Sequence, residues 1–482
     1  ADDRKVKVDV PKEVSDLVKD GRKYFRNPMA EFVYYRSYSK WIAEKNRRET
    51  WIETVNRYMD FMEENLGKKL STVEYDEVRQ HILEQKAMPS MRLFWAAGDA
   101  ARATNVCAYN CSFIAPSKLQ DFGEIMYISM CGTGVGFSVE RTNVEKLPQI
   151  EKQKRVKKEK HVVKDSKEGW ADAFVLGLKK WFGGEDVTFD FSELRAEGAR
   201  LKTMGGKSSG PKPLMELMDF AKKLILGKQG RRLSPIEVHD LVCKIGEIVV
   251  SGGVRRSALI SLSDLDDSEM RNAKNGQFYI TDPQRGMANN STIYDDKPGN
   301  IQFMEEWMAL MKSGSGERGI FNRGSLEGQL PKRRWDVFKD HVHSSGTNPC
   351  GEIILRSKQF CNLSEVVARS NDTEETLLKK IRVATIIGTY QSSLTKFGYL
   401  SKEWKKNCEE ERLLGVSVTG IWDSKSSRSE EVLRKLRAET VKVNKKYAKK
   451  FKIGESTCIT CVKPSGTVSQ LVDASSGMHP RH

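Results

Sequence analysis

Long apolar runs and paired cysteines are both scarce in this 482-residue sequence. No apolar stretch approaches the roughly 18 residues that cross a bilayer, so no membrane span is expected. No apolar segment follows the charged residues 1–5, so no signal peptide is expected either. The cysteines number nine, which argues against a disulfide framework. These absences favour a cytoplasmic location, where cysteines are free thiols, metal ligands or redox catalysts.

Zinc-site and dinucleotide-binding patterns are also missing. The CxxC spacing occurs once, at Cys458 and Cys461, and no second CxxC or nearby histidine pair completes a zinc site. A strand is predicted there, which would put the two side chains on opposite faces and favours a structural role. The glycines of residues 132–136 follow a predicted helix and precede a predicted strand, the reverse of a Rossmann fingerprint. Close backbone packing is therefore the favoured role for these glycines.

The composition is that of a globular enzyme with an excess of positive charge. Hydrophobic residues make up 38% and charged residues 30% of the chain, and the net charge is +16. This charge suits an anionic ligand, a nucleic acid or an acidic surface, and does not choose among them. No helix-turn-helix, zinc-finger or RNA-binding aromatic motif supports a nucleic-acid partner. The basic run at 151–160 is interpreted as a solvated loop, with a phosphate-attracting loop as the alternative.

The pattern of apolar and polar residues along the sequence changes near residue 95. Before it, apolar residues recur at three- and four-residue steps, which predicts an N-terminal helical domain over residues 1–95. After it, short strands alternate with helices, which predicts an α/β sheet or barrel over residues 96–482. Strands are predicted at 112–115, after the glycines of 132–136, and at 257–262, 319–321, 359–361, 414–418 and 457–462. Helices are predicted at 121–130, 214–226, 235–250 and 304–313, and polar loops at 145–168 and 423–430.

One short segment groups three reactive side chains around a tight loop. In Asn348-Pro349-Cys350-Gly351-Glu352, proline fixes one side of the loop and glycine frees the other. If the tip is extended, the amide, the thiol and the carboxylate point the same way. Such a loop can project a single thiol into a cavity, and the three groups together form a plausible reaction centre.

Three further segments stand out beside this loop. Two carry cysteines next to predicted strands: 110–113, which contains Cys111, and 360–364, which contains Cys361. The third, 463–467, is a Lys-Pro-Ser-Gly-Thr turn from strand to helix, whose backbone N–H groups and hydroxyls can hold a phosphate. Taken alone, each has an ordinary alternative as a core cysteine or a helix cap. Their conjunction favours a functional role.

Together these segments resemble the ribonucleotide reductases. The resemblance is greatest to the monomeric, adenosylcobalamin-dependent (class II) branch, which reduces ribonucleoside triphosphates. The resemblance covers the chain from about residue 85 to its end. Its motifs are 251–258, 319–323, 348–352 with 361–364, 413–420, and 460–471 with 476–480. It implies a ten-stranded α/β barrel with a central finger loop, preceded by the N-terminal helical domain and incomplete at its C-terminus. Bacterial or phage-infected host cytoplasm is the location that it implies.

The resemblance implies a radical mechanism at the finger loop. Cys350 would become a thiyl radical through homolysis of the cobalt–carbon bond of adenosylcobalamin, and would take the 3′ hydrogen of the ribose. Glu352 would act as general base on the 3′ hydroxyl, and Asn348 would hydrogen-bond the sugar hydroxyls. A barrel interior would shield the radical from solvent.

The resemblance also implies a reducing pair of cysteines. Cys111 and Cys361 would supply two electrons, release the 2′ hydroxyl as water and close a disulfide. Cys107, four residues before Cys111, is a rival for that role. A thioredoxin-like protein or a small dithiol would be the reductant that restores the pair.

Binding residues follow from the same resemblance. Substrate contacts are implied for Ser90, Asn110, Pro464, Ser465, Gly466 and Thr467. Two loops would bind a deoxynucleotide effector through Arg141, Lys146, Gln284 and Arg285. A structural role without a ligand is equally open for each loop residue. Arg255 and Arg256 could likewise steer phosphates or pair with acids of the barrel wall.

Family members normally continue with further barrel structure and a tail that carries a cysteine pair, neither of which follows Arg481 and His482 here. Three explanations are open: a naturally minimal enzyme, a split gene whose remainder is a separate C-terminal fragment that binds this chain, or a truncated chain. No extra nucleotide-binding cone is evident near the N-terminus.

Two alternatives from other classes remain. One is a different cobalamin or thiol-radical enzyme on a similar barrel, which would not need the pair Cys111 and Cys361. The other is a non-enzymatic nucleotide- or nucleic-acid-binding protein, which the net charge of +16 suggests. The reductase interpretation predicts neither a membrane nor a nucleic-acid partner.

Overall fold

The structure is a computed structural model that describes residues 10–201, 206–254 and 257–481. By its internal contacts the chain divides into two units. The first unit takes its residues from 1–102, 363–393 and 414–482, and the second from 103–362 and 394–413. Neither unit is contiguous in sequence, since the chain returns to each after leaving it.

Helices account for most of the regular structure in the described residues. In chain order they are α1 (Lys12–Arg22), α2 (Pro28–Ser37), α3 (Trp51–Leu66), α4 (Thr72–Leu83), α5 (Met91–Ala96), α6 (Asp99–Ala103), α7 (Leu119–Met130), α8 (Arg141–Val144), α9 (Lys167–Phe182), α10 (Lys212–Leu226), α11 (Pro235–Ser251), α12 (Ser268–Arg271), α13 (Phe278–Thr281), α14 (Asn300–Ser313), α15 (Leu326–Gln329), α16 (Lys332–Phe338), α17 (Glu374–Ser392), α18 (Lys402–Glu411), α19 (Glu430–Phe451) and α20 (Thr467–Leu471). None of these helices is both long and apolar enough to cross a membrane, as far as the described residues go.

The strands are short. In chain order they are β1 (Trp41–Ile42), β2 (Arg47–Arg48), β3 (Ala87–Pro89), β4 (Cys111–Ile114), β5 (Gly134–Ser138), β6 (Glu159–Val162), β7 (Val187–Asp190), β8 (Leu259–Asp264), β9 (Ala288–Tyr294), β10 (Gly319–Asn322), β11 (Gly346–Thr347), β12 (Ile354–Leu355), β13 (Gln359–Cys361), β14 (Ser364–Val367) and β15 (Val416–Thr419).

The first unit packs helices around a three-stranded sheet in the order β15-β14-β3, in which β14 is parallel to β15 and antiparallel to β3. α17 is buried along most of its length, and its Ala384 carbonyl accepts a hydrogen bond of 2.8 Å from the Ser364 hydroxyl of β14. An aromatic cluster forms the core of the N-terminal helices, where Trp51 makes edge contacts with Tyr34 and Phe94 at centroid distances of 5.4 and 5.7 Å. The helical character predicted for residues 1–95 is therefore present.

The second unit is built on a six-stranded sheet in the order β10-β9-β8-β5-β4-β13. The first five strands are parallel and β13 alone is antiparallel, paired with β4. β4 and β5 are buried on both faces, as the strands of a parallel sheet usually are. The buried helices α7 and α11 cover the sheet, and α9 and α10 pack on them in turn. The α/β class predicted from the alternation of strands and helices is confirmed.

Two local predictions need correction. The stretch 145–168 was expected to be loop throughout, yet β6 lies within it and pairs in parallel with β7. Its side chains are largely exposed and charged, and ion pairs such as Lys160–Asp190 at 3.3 Å hold it, so no apolar alternation marks it. The segment 457–462 does not form a regular strand: Thr460 makes an isolated parallel bridge with Val416, and backbone hydrogen bonds join Cys458 to Leu414 and join Ile459 and Cys461 to Val416.

The other predicted elements occur within a few residues of their expected bounds. The predicted strands at 112–115, 257–262, 319–321, 359–361 and 414–418 correspond to β4, β8, β10, β13 and β15, and β5 follows the glycines. The predicted helices at 121–130, 214–226, 235–250 and 304–313 correspond to α7, α10, α11 and α14. The division of the chain into domains 1–95 and 96–482 stays a prediction. Arg255 and Arg256 lie outside the described residues.

Candidate active site

Residues 346–355, the finger loop, form a narrow hairpin in the second unit. β11 and β12 pair antiparallel at its base. The N–H of Asn348 donates to the Ile353 carbonyl at 3.2 Å, and the Ile353 N–H donates to the Asn348 side-chain Oδ1 at 3.0 Å. Gly351 closes the turn with a φ of +83°, a conformation that residues with side chains rarely adopt. Asn348 and Gly351 thus hold a tight tip that carries Cys350.

The tip of the finger loop exposes one thiol beside buried polar groups. Cys350 is exposed, Asn348 is fully buried and Glu352 is half-buried. Apart from Gly351 itself and its neighbours Cys350 and Glu352, no described residue has an atom within 4 Å of the position that a Cβ on Gly351 would take. The thiol therefore stands next to open space, which a bulky ligand could enter.

Several buried polar atoms of the finger loop have no hydrogen-bond partner among the described residues. They are Thr347 Oγ1, Asn348 Nδ2 and both carboxyl oxygens of Glu352. An unpaired buried polar group costs roughly 1–3 kcal/mol, so such groups usually await a ligand or water. The Glu352 oxygens can accept from hydroxyl groups, and the Asn348 amide can donate to them. This set fits a ligand that carries several hydroxyls.

Two cysteines face each other across neighbouring strands of the sheet. Cys361 on β13 lies directly opposite Cys111 on β4. Directly opposed residues of an antiparallel pair have Cα atoms about 4.5–5.5 Å apart, within the range that a disulfide spans. Both are buried, and neither forms a disulfide in this structure. The arrangement can therefore open and close a disulfide without moving the strands apart.

Two glycines of β5 bring the finger loop onto the same face of the sheet. A Cβ on Gly134 would lie 3.1 Å from Pro349 Cγ and 3.2 Å from Cys111 Sγ, so these two atoms meet over one point. A Cβ on Gly136 would lie 2.0 Å from the Thr347 carbonyl oxygen, which no side chain tolerates. The close-packing role predicted for the glycines of 132–136 accounts for both contacts. Cys111, and Cys361 opposite it, thus share a sheet face with the residue that precedes Cys350.

The rival cysteine lies in different surroundings. Cys107 belongs to a 3₁₀ turn before β4 and is fully buried. Burial raises the pKa of the Tyr127 phenol, and the nearby thiols of Cys131 and Cys107 raise it further. Cys107 therefore lies near Tyr127. Asn110, which immediately precedes Cys111, uses its backbone carbonyl to accept a 2.8 Å hydrogen bond from the Gly134 N–H.

The predicted phosphate-binding segment lies in the first unit. Gly466 precedes α20, which begins at Thr467. The hydroxyl of Ser469 donates to the carbonyls of Gly466 at 2.7 Å and Ser465 at 3.2 Å, and the Ser476 hydroxyl also donates to the Ser465 carbonyl. The runs 463–471 and 476–480, separate in sequence, are therefore in contact. Pro464 and Gly466 are exposed, Thr467 is half-buried and Ser465 is buried.

A buried carboxyl next to this segment was missed by sequence reasoning. Burial raises the pKa of Glu365, whereas the charge of Lys463 and a contact with Ser465 lower it. Burial, reinforced by Glu365, also raises the pKa of the Tyr38 phenol. Glu365 was invisible in the sequence because it stands within an ordinary strand, β14. The carboxyl places a fixed acidic group beneath the Ser465 turn.

Ser90 also lies in the first unit, where β3 ends and α5 begins. Its hydroxyl oxygen accepts a 3.2 Å hydrogen bond from the Leu93 N–H, so it caps the helix. The side chain is 4% exposed. A substrate contact for Ser90 stays a prediction, and the hydroxyl would have to serve it in addition to the cap.

The four predicted effector residues fall into two groups in the second unit. Arg141, at the start of α8, forms an ion pair with Asp266 and is 44% exposed. Lys146, shortly after α8, is exposed. Gln284 and Arg285 are instead anchored on α11, where both donate to the Asp240 carboxyl, Gln284 at 3.1 Å and Arg285 at 2.8 and 3.0 Å. Their side chains thus fasten the second loop, and effector binding stays a prediction for all four.

The described residues contain no cluster of three or more His, Cys, Asp or Glu side chains that could hold a metal ion.

Comparisons with known proteins agree with these features. A family model described as "Ribonucleotide reductase alpha domain" matches residues 12–99. A second one, "B12-dependent ribonucleotide reductase, insertion domain", matches residues 137–225, the region that contains β6, β7, α9 and α10. Sequence reasoning had not separated this insertion from the rest of the barrel.

Two curated relatives share the same enzyme name. The adenosylcobalamin-dependent ribonucleoside-triphosphate reductase of Lactobacillus leichmannii is 27% identical over 97% of this chain and 75% of its own length. The enzyme of the same name from Euglena gracilis is 28% identical over 94% of this chain and 64% of its own length. This chain thus spans about three-quarters of the Lactobacillus relative.

Solved structures give the fold. A B12-dependent (class II) ribonucleotide reductase superposes with a TM-score of 0.79 at 24% identity, covering 96% of this chain and 77% of that one. The alpha subunit of the class Id ribonucleotide reductase of Actinobacillus ureae superposes less closely, with a TM-score of 0.55 at 14% identity over 95% of this chain and 76% of that one. The mixed α/β fold expected from the motifs is confirmed, and closure of a ten-stranded barrel stays a prediction.

Proposed function

We propose that the chain is an adenosylcobalamin-dependent (class II) ribonucleotide reductase and that it reduces ribonucleotides to 2′-deoxyribonucleotides at the finger loop. One observation carries the proposal. Cys361 lies opposite Cys111, and Cys111 Sγ and Pro349 Cγ both lie close to the Cβ position of Gly134, at 3.2 and 3.1 Å; the residue after Pro349 is the exposed Cys350. Radical reduction with a dithiol requires one thiol that carries the radical and, beside it, two thiols that form a disulfide. Cys350 would be the first, and Cys111 and Cys361 would be the pair.

We assign the chemical roles as follows. Cys350, as a thiyl radical, removes the 3′ hydrogen of the ribose and later returns it. The Glu352 carboxylate accepts the proton of the 3′ hydroxyl, and the Asn348 amide donates a hydrogen bond to a sugar hydroxyl. The unpaired Glu352 oxygens and Asn348 Nδ2 support these roles, because a bound ribose would satisfy them.

The dithiol closes the balance of the reaction. The bond between the 2′ carbon and its hydroxyl oxygen breaks, and the oxygen leaves as water. A C–H bond replaces it. The thiols of Cys111 and Cys361 together give up two electrons and two protons and become a disulfide. An external dithiol, supplied by a thioredoxin-like protein or a small molecule, then reduces that disulfide for the next turnover.

The cofactor is adenosylcobalamin, as the names of the relatives state for them. When bound, it supplies the one-electron oxidation of a thiol through homolysis of its cobalt–carbon bond. The open space beside Gly351 and the exposed thiol of Cys350 fit a large group that approaches the loop tip. The protein's part is to hold that thiol in place and to keep water from the radical.

The substrate that we propose is a ribonucleoside triphosphate, by analogy with the named activity of the relatives. The turn formed by Pro464, Ser465, Gly466 and Thr467 would hold its phosphates with backbone N–H groups and hydroxyls. Ser90 and Asn110 would contact the same substrate. The contact between the 463–471 and 476–480 segments supports a preformed turn.

A deoxynucleotide effector would select among substrates. We assign Arg141 and Lys146, which are exposed, to contact its phosphates. Gln284 and Arg285, anchored on Asp240, would hold the second specificity loop in place. The match of residues 137–225 to the insertion domain supports a distinct element in this region. The cytoplasm is the proposed location.

The test is anaerobic incubation of the chain with adenosylcobalamin, a ribonucleoside triphosphate and dithiothreitol, followed by chromatography of the nucleotides. We expect a 2′-deoxynucleotide product from the wild type, none from Cys350→Ser, and wild-type amounts from Cys243→Ala. Cys243 is a matched control because it is buried on α11 beside His239. Equal product from the Cys350 variant would overturn the proposal.

A further inference from the structure

A buried arginine ties three strands of the second unit together. Arg323 directly follows β10 and is 4% exposed. Its guanidinium donates to both carboxyl oxygens of Glu140, at 3.1 and 2.8 Å, and to both of Asp295, at 2.7 and 3.0 Å. Glu140 follows β5 by two residues and Asp295 directly follows β9. Since β5, β9 and β10 are parallel, their carboxyl ends meet at one edge of the sheet, and Arg323 spans that edge.

The same guanidinium also reaches the finger loop. Arg323 Nη1 donates to the His343 carbonyl at 3.0 Å and to the Ser345 carbonyl at 3.4 Å. Ser345 is fully buried and immediately precedes β11, the strand by which the chain enters the loop. Cys350 stands only five residues later. A single planar group therefore connects the fixed edge of the sheet to the start of the segment that carries the reactive thiol.

The charges at this junction are arranged to keep that group in one orientation. Burial raises the pKa of Glu140, whereas Arg323 and a hydrogen bond from Ser138 lower it. The neighbouring guanidinium also lowers the pKa of Asp295. Bidentate pairing to two carboxyls fixes the guanidinium plane, which a lysine could not do. The pair with Glu140 is buried, whereas the Asp295 side chain is 53% exposed. A buried pair adds little net stability compared with apolar packing, so its value lies in the geometry that it specifies.

We propose that Arg323 is a positioning residue of the reaction: it fixes the entrance of the finger loop and thereby the place of Cys350 relative to Cys111 and Cys361. The inference rests on the proposed function, because it gives Cys350 its role. Neither the loop sequence nor the cysteine pattern reveals it, since the contacts to the loop are made with backbone carbonyls.

The other end of β10 offers a matched control. Arg318 is 2% exposed and donates to both carboxyl oxygens of Glu306, at 2.8 and 2.7 Å. Its other bonds go to the end of β8 and the residue after it: the Ser263 hydroxyl at 3.1 Å and the carbonyls of Asp264 at 2.9 Å and Leu265 at 3.0 Å. Arg318 thus matches Arg323 in burial and in a bidentate pair with one buried carboxyl, but its bonds lead to α14 and to the end of β8.

The experiment compares Arg323→Lys with Arg318→Lys in the full chain. A misplacement of about 1 Å in a reacting group costs on the order of a hundredfold, so we expect kcat of Arg323→Lys to fall between about tenfold and a hundredfold. The KM for the nucleotide should change less than about threefold, because the phosphate segment is untouched. Arg318→Lys should keep both constants within about threefold of wild type. Equal losses of kcat in the two variants, or no loss in Arg323→Lys, would overturn the inference.

A second readout needs no cofactor or substrate. The rate at which iodoacetamide alkylates Cys350, followed by peptide mass spectrometry, reports the setting of the loop tip directly. We expect Arg323→Lys to change this rate at least about threefold and Arg318→Lys to leave it unchanged. If Arg323→Lys does not fold, Glu140→Gln decides, since it loosens the same guanidinium: a changed alkylation rate supports the inference and an unchanged rate overturns it.

The two readouts also separate the inference from the function on which it rests. A wild-type chain that makes no deoxynucleotide contradicts the proposed function, whatever the variants do. The alkylation rates still show whether Arg323 sets the position of Cys350.

Discussion

At the scale of single residues, the proposed reaction depends on three sulfur atoms. Cys111 and Cys361 are opposite one another on paired strands, and Cys350 stands at the tip of a loop whose Pro349 contacts the same face as Cys111. The thiol at the tip is exposed and the pair is buried. In the proposed mechanism the radical-bearing thiol and the two-electron donor therefore have different surroundings.

Replacement of Cys111 or Cys361 by serine should remove the reductant. We expect multiple turnover with dithiothreitol to fall by at least about a hundredfold, since a hydroxyl cannot form the disulfide. Deoxynucleotide formation measured by chromatography checks this. Cys107→Ala, in the rival position beside Tyr127, should retain turnover within about threefold of wild type. A variant of Cys107 that is as inactive as that of Cys111 would assign the pair differently.

Some residues of the site can be predicted from the sequence and others cannot. The order Pro-Cys-Gly predicts a tight thiol-bearing turn because of the backbone limits of proline and glycine, and the loop around Cys350 has that form. Glu365 and Arg323 carry no such mark. Their surroundings depend on which strands lie next to each other, and Arg323 contacts carbonyl oxygens that every residue possesses.

At the scale of elements, the finger loop depends on a strand without side chains at two positions. Gly134 and Gly136 on β5 leave room for Pro349 and for the Thr347 carbonyl. The sequence predicted that the glycines serve close packing, but not what they pack against. Likewise, β6 was missed because its exposed charged residues show no apolar alternation, while the long apolar helices were found with nearly their observed bounds.

Gly136→Ala should push the finger loop away from the sheet. The added Cβ would lie 2.0 Å from the Thr347 carbonyl oxygen, a backbone atom that cannot turn aside as the end of a side chain could. We expect kcat to fall on the order of a hundredfold, measured in the deoxynucleotide assay. Gly328→Ala in the exposed helix α15 meets no described atom within 4 Å and should leave kcat unchanged. Full activity of the Gly136 variant would show that the loop does not rest on β5.

A second element-scale prediction concerns α11 and its packing on the sheet. His239 is fully buried, and its Nε2 lies 2.8 Å from Asn290 Oδ1 on β9, which also accepts a 2.8 Å hydrogen bond from the Ser261 hydroxyl of β8. Since Oδ1 can only accept, Nε2 must donate. Burial lowers the pKa of His239 to about 4. The structure therefore tolerates this histidine only without its second proton.

The sign of the pH effect follows. The unfolded chain takes up this proton near pH 6.5 and the folded chain only near pH 4, so stability falls as the pH falls between these values. From pH 7 to pH 4, wild type should lose about 3 kcal/mol more free energy of unfolding than His239→Gln, in which an amide can still donate to Asn290. Urea titrations across this range check it. Parallel losses in both proteins would mean that His239 is not the responsible group.

At the scale of the whole molecule, the chain builds two units from interleaved segments. β3 comes early in the chain but pairs with β14, and β14 with β15, so segments 363–393 and 414–482 join the early helices. Local patterns along a sequence cannot show such returns, because pairing between distant strands leaves no periodic signal. The net charge of +16 suits an anionic partner without choosing one. The resemblance to ribonucleotide reductases implied a nucleotide, and the names of the relatives agree with it.

The proposed mechanism requires that reduction of one nucleotide oxidises one pair of cysteines. The most direct measurement is a single turnover of the pre-reduced chain with adenosylcobalamin and a ribonucleoside triphosphate, without added dithiol, in which deoxynucleotide and disulfide-linked peptides are counted together. The account predicts one Cys111–Cys361 disulfide for each deoxynucleotide formed. Product without that disulfide, or with a disulfide between Cys458 and Cys461 in its place, would contradict it.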